Sequence, residues 1–160
     1  MTHPINIYKL SRIEDEHLFN VIESHQSHRK TEYYYRDYEI KSLRILSNAL
    51  INAGIKVNDL DNYFFGFTIP QIGKEFDLLK ITDTLCLNIE LKSTTVPEEQ
   101  ILSQLLTNRH YLGHLEKELT QYSIITDEMK CYRLTNEGEL ESVPFLEIVE
   151  SVKAHDRRTL

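Results

Sequence analysis

Apolar and polar positions alternate most clearly in the middle of the chain. Leu85, Leu87, Ile89 and Leu91 occupy every second position, with Cys86, Asn88, Glu90 and Lys92 between them. Side chains alternate across a strand, so residues 85–92 read as a strand with one fully apolar face. Residues 75–81 read as its neighbour, with Glu75, Asp77, Leu79 and Ile81 on one face. Tyr63–Ile69 is aromatic and β-branched and is ended by Pro70, a third strand. Helical spacing appears on both sides. Ile40, Leu43, Ile45, Leu46, Leu50 and Ile51 predict a helix over 37–53, stopped by Gly54. Pro97-Glu98-Glu99 opens a helix expected to run to about Leu119, with Ile101, Leu105, Leu112, Leu115 and Leu119 inward. Residues 10–28 read as a further helix, capped by Ser11 with Glu14 three positions on. Tyr122–Thr126 and Cys131–Thr135 read as short strands, Asn136-Glu137-Gly138 as a turn, and 144–155 as a last helix. The expected fold class is α/β, a mixed sheet flanked by helices.

Only Thr82, Asp83 and Thr84 separate the two central strands, so they form a hairpin. With Asp83-Thr84 as the loop, Ile81 pairs with Cys86. Asp77 then lies opposite Glu90, and Glu75 opposite Lys92. Directly opposed β-carbons lie about 5 Å apart. Two carboxylates so close repel when both are ionised, unless a cation sits between them. Mg²⁺ takes oxygen ligands, commonly one or two carboxylates with waters and substrate phosphates. An ammonium beside it, Lys92, suits activation of a water or stabilisation of charge on a phosphate. The bland alternative for Asp77, Glu90 and Lys92 is a solvated cross-strand ion-pair network of small energetic weight. Glu75 reads either as a further ligand or as a partner of Lys92.

Asp77 followed by Glu90-Leu91-Lys92 resembles the core of the PD-(D/E)xK nuclease superfamily, with Phe76 standing where the namesake motif has proline. The predicted order of elements is similar to that superfamily's αβββαβ, restriction-endonuclease-like core. Gln104, Asn108, Leu112 and Leu115 on the following helix resemble the pattern after the Glu-x-Lys strand in NERD-like domains and the Gln motif of RecB-like members. Glu39 is similar to the first-helix glutamate that supplies an additional metal ligand in many members. Residues 64–77 with 88–93 also look like the N-terminal segment of bacterial ATPase/helicase-like proteins. The resemblance implies a single nuclease-like domain over 1–160: an N-terminal helical extension over 10–30, the core over 33–135, and a C-terminal turn and helix over 136–160. It implies metal ligands Asp77, Glu90 and Glu39, with Lys92 and Gln104 as catalytic partners. Mg²⁺ is the implied cofactor, with Mn²⁺ as substitute, and DNA the implied substrate. A helicase or ATPase domain or subunit, and a second copy of the chain, are the implied protein partners. The alternative function is a catalytically silent module of the same fold that binds nucleic acid or a partner.

Composition narrows this picture without deciding it. At 160 residues, 41% hydrophobic and 27% charged, the chain has the size and balance of one globular domain. The formal charge of −7 argues against coating nucleic acid by bulk electrostatics, and leaves open an enzyme touching it at one metal-loaded spot. Two cysteines, Cys86 and Cys131, exclude a disulfide scaffold and read as small core residues. No apolar run reaches membrane-spanning length, and Met1-Thr2-His3-Pro4 does not begin a signal peptide, so a cytoplasmic, membrane-free protein is expected. His110 and His114 stand four apart but lack the glutamate of a zinc-protease helix. No phosphate-binding loop of the motor type occurs. Tyr33, Tyr34 and Tyr35, with Arg29, Lys30 and Arg36, read as packing residues or as a stacking platform for unpaired bases.

Overall fold

The central hairpin is apolar enough on both faces to need cover on both. The computed structural model, which describes residues 4–13, 37–69 and 71–156, shows that cover. Six strands form one mixed sheet in chain order: β1 (Tyr63–Ile69), β2 (Lys74–Ile81), β3 (Leu85–Lys92), β4 (Glu118–Ile125), β5 (Lys130–Leu134) and β6 (Leu140–Val143). All neighbours are antiparallel except β3 and β4, which run parallel. A parallel pair needs a crossover, and α3 (Glu98–Leu112) provides it. The other α-helices among the described residues are α1 (Ile7–Ser11), α2 (Asp37–Asn52) and α4 (Phe145–Asp156).

The main core lies under α1, α2 and α4. Ile40, Leu43, Leu46 and Leu50 of α2 and Ile148, Val149 and Val152 of α4 pack with Leu78, Leu87, Ile89, Tyr122 and Ile124 of the sheet. Ile45 falls off the α2 stripe and is half-exposed, while Ser47 takes a buried position. On the opposite face, Ile101 and Leu105 of α3 meet Ile125, Tyr132 and Leu134. Truncating a fully buried α2 side chain, Leu46→Ala, is expected to cost about 2–5 kcal/mol by denaturant unfolding. The exposed Leu146→Ala should cost well under about 1 kcal/mol.

Several boundaries differ from expectation. The crossover helix stops at Gly113, not Leu119, because the chain from Glu118 is needed to pair with all of β3, from Leu85↔Glu118 to Lys92↔Ile125. Leu119 is therefore a strand residue. β6 pairs with β5 and was not legible, since Glu139, Glu141 and Ser142 dilute its apolar signal. Near the N-terminus it is Asn6 that caps a helix, by accepting the Lys9 N–H. Ser11 instead ends that helix, its hydroxyl donating back to the Tyr8 carbonyl. The remainder of the expected 10–28 helix, and the Tyr33–Tyr35 cluster with Arg29, Lys30 and Arg36, lie outside the described residues. No helix among the described residues is long and apolar enough to cross a membrane.

Candidate metal centre

The hairpin closes as its loop length predicts. Thr82 N–H donates to the Leu85 carbonyl at 2.8 Å, and Ile81 pairs with Cys86. Pairing then proceeds to Leu78↔Ile89 and stops. Beyond that point β2 and β3 separate, and side chains replace the missing rungs. Asn88 Nδ2 donates to the Leu78 carbonyl at 3.1 Å. Glu90 Oε2 accepts the Asp77 N–H at 2.9 Å. Asp77 Oδ2 accepts the Leu91 N–H at 2.8 Å. The two acids thus hold each other's strands apart and lie at one spot.

The partner strand β1 is interrupted at the same level. Phe65 pairs with Leu78 and Phe67 with Phe76, while Gly66 and Asp77 between them form no rung. Phe64 and Phe67 meet edge to face at 5.6 Å, and both sit in one apolar cluster with Phe76 and Leu79. Residues three apart on a regular strand point to opposite faces. Both strands therefore change phase here, and Gly66 absorbs the change with φ 68. An L-residue is strained at that angle. Gly66→Val is expected to lower the thermal midpoint, by a cost of roughly 1–2 kcal/mol.

The gap between strands opens a cleft of about 300 Å³ lined by Glu39, Ser42, Asp77, Lys92, Thr94 and Gln104, among others. Asp77 is partly exposed to it, whereas Glu90 lies beneath, with no exposed surface. Glu90 accepts two further hydrogen bonds, from Asn88 Nδ2 at 3.0 Å and from Gln104 Nε2 at 2.9 Å. Burial, then the neighbouring Asp77 charge, pushes the Glu90 carboxyl up to about 8. Burial also raises Asp77, with the Glu39 charge adding to the rise and Lys92 opposing it. Two carboxyls so placed cannot both be ionised cheaply without a cation.

Of the expected site residues, Asp77, Lys92, Gln104 and Glu39 line the cleft, and Glu90 is hydrogen-bonded to Asp77 and Gln104. Glu75 is not opposite Lys92, because the ladder has ended before that level; it is exposed and pairs with Thr68. Among the described residues, no three His, Cys, Asp or Glu side chains gather closely enough to hold a metal ion by themselves. Glu39 therefore stands in the cleft wall without completing a three-carboxylate cluster with Asp77 and Glu90. The donor set still suits a hard cation. A carboxylate offers about four acceptor positions, and three donors reach Glu90. Among the described residues only Leu91 N–H bonds the Asp77 carboxylate, at Oδ2. Gln104 Oε1, at the cleft, is buried with no hydrogen-bond partner.

Sequence reasoning placed Asn88 on this face without assigning it a role. Ser42 was missed altogether. Its hydroxyl, one turn after Glu39, lies 3.1 Å from Thr126 Oγ1, which itself donates to the Lys92 carbonyl at 3.2 Å. A serine beside the apolar stripe of α2, where Ser47 is also buried, was the available signal. Cys86 and Cys131 are buried, and burial holds both thiols up at about 11, which suits packing and not nucleophilic chemistry. His110 and His114 stack edge to face at 5.9 Å on the surface, outside the cleft. No family model, curated protein or solved structure matches this chain.

Proposed function

We propose that the chain is a Mg²⁺-dependent nuclease of the PD-(D/E)xK kind, hydrolysing phosphodiester bonds in DNA, built on a restriction-endonuclease-like core. The observation that carries this reading is the reciprocal Asp77–Glu90 clasp at the splayed ends of β2 and β3, with Lys92 in the same cleft. The order α2–β1–β2–β3–α3–β4 supports the αβββαβ core.

In this reading Asp77 and Glu90 would hold the cation. A bound Mg²⁺ supplies Lewis-acid polarisation of a phosphate oxygen. The chain's own groups do the rest. Lys92 lies near enough to both acids to oppose their rise. Its ammonium orients the attacking water and stabilises negative charge developing on the phosphate. Gln104 fixes Glu90 by donating from Nε2 to Glu90 Oε1. Glu39 adds negative charge at the wall. Scission of plasmid and single-stranded DNA is the test. Cleavage should require Mg²⁺ or Mn²⁺, stop with chelator, and disappear in Asp77→Ala. Cleavage unchanged in that variant would remove the assignment.

A further inference from the structure

Asn88 is wholly buried, and both hydrogens of its amide are spent at the point where the hairpin comes apart: one on the Leu78 carbonyl, one on Glu90 Oε2. Its oxygen is held in turn. Asn108 Nδ2, from the covering helix α3, donates to Asn88 Oδ1 at 2.9 Å. Gln121 Nε2, on β4, approaches the same oxygen at 3.5 Å while donating to the Leu105 carbonyl at 2.9 Å. Asn108 has no exposed surface and Gln121 almost none. A line of amides therefore runs from the core, through Asn88, to one oxygen of Glu90. An apolar sheet–helix contact would pack as well without these groups, and buried amides cost stability unless satisfied. The network is the kind of support that fixes the direction of a ligand's lone pairs.

We infer that Asn88, anchored by Asn108, is a positioning residue that holds the Glu90 carboxylate beside Asp77 beneath the cleft and keeps β2 and β3 apart there. This deepens the nuclease reading and rests on it for its consequence in metal binding. The splay itself is independent of that reading. Without Asn88 the Leu78 carbonyl loses its donor, and Glu90 is free to turn away from the Asp77 amide.

The test compares Asn88→Leu with the unaltered protein in two measurements, both well below the thermal midpoint of each. In native-state amide exchange by NMR, the Asp77 and Leu91 amides should exchange at least about tenfold faster relative to reference amides in β4 and β5. Mn²⁺ binding followed by electron paramagnetic resonance should weaken about tenfold. Exchange that rises equally at the reference amides would mark a general loss of stability and overturn the inference. So would local exchange with unchanged Mn²⁺ affinity. If the unaltered protein takes up no Mn²⁺, the nuclease reading falls, while the exchange ratio still decides whether Asn88 holds the splay. Should Asn88→Leu not fold, Asn108→Leu, which does not touch Glu90, is expected to give the same local pattern at about threefold. No local effect in that variant overturns the relay.

Discussion

Glu90→Gln is expected to melt higher than the unaltered protein at pH 8, by about 5–10 °C, and to cleave no DNA. The buried Glu90 carboxyl titrates at about 8 in the folded chain against 4.5 as its ordinary value. Between those values the folded state holds a proton that the unfolded state has released. Stability is then fully present below about 4.5 and is lost as pH rises through about 8. The loss amounts to a few kcal/mol across the window, and each kcal/mol moves the midpoint of a chain this size by about 2–4 °C. Asp77 shifts in the same direction and adds to the fall. Glutamine copies the protonated acid. Its oxygen can accept from the Asp77 amide and Asn88, as Glu90 Oε2 does. Its amide can donate to Gln104 Oε1, the buried atom that now lacks a partner, once the Gln104 amide turns over. Melting curves from pH 5 to pH 8.5 give the answer. The two proteins should converge near pH 5 and separate as pH rises. A variant equally destabilised at both ends would show that the acid is not held protonated.

The second large effect is on catalysis alone. Lys92→Met keeps the aliphatic stem along the cleft and removes the ammonium. Losing one preorganised positive group at a developing oxyanion typically costs about 10²–10³-fold in rate, and single-turnover cleavage should fall by that amount. The fold should hardly notice, since Lys92 is partly exposed and makes no ion pair within 4.0 Å among the described residues. Mn²⁺ affinity should change little, because losing the ammonium leaves Asp77 and Glu90 harder to ionise but also removes its repulsion of the cation. Loss of binding in step with activity would instead make Lys92 a structural partner of the acids.

The site was legible in the sequence to the extent that strand alternation is rigid. A two-residue loop at Asp83-Thr84 fixes the register, and the register brings Asp77 beside Glu90. Alternation also separates Leu87 and Ile89, buried toward α2, from Asn88 and Glu90, turned toward α3. What alternation could not convey is where it fails. The phase change at Gly66 and Asp77 depends on three strands at once, and one glycine in an aromatic run was its only local mark. Glu75 was misplaced for that reason: its facing was counted through a break. The end of α3 was missed because leucines at 115 and 119 continue a helical period, while the pairing demand of β3 on the chain from Glu118 overrides it. The Asn88–Asn108 contact joins residues twenty apart on a strand and a helix; the helical pattern includes Asn108, but nothing in it points to Asn88 as the partner.

Asp77 and Glu90 together are proposed to form a seat for one divalent cation. Calorimetric titration of Mn²⁺ into the protein at pH 8, without and with a DNA duplex, tests it most directly. One saturable site per chain is expected, abolished by combining Asp77→Asn with Glu90→Gln. Heat that never saturates under either condition, or a site that survives both substitutions, would contradict it.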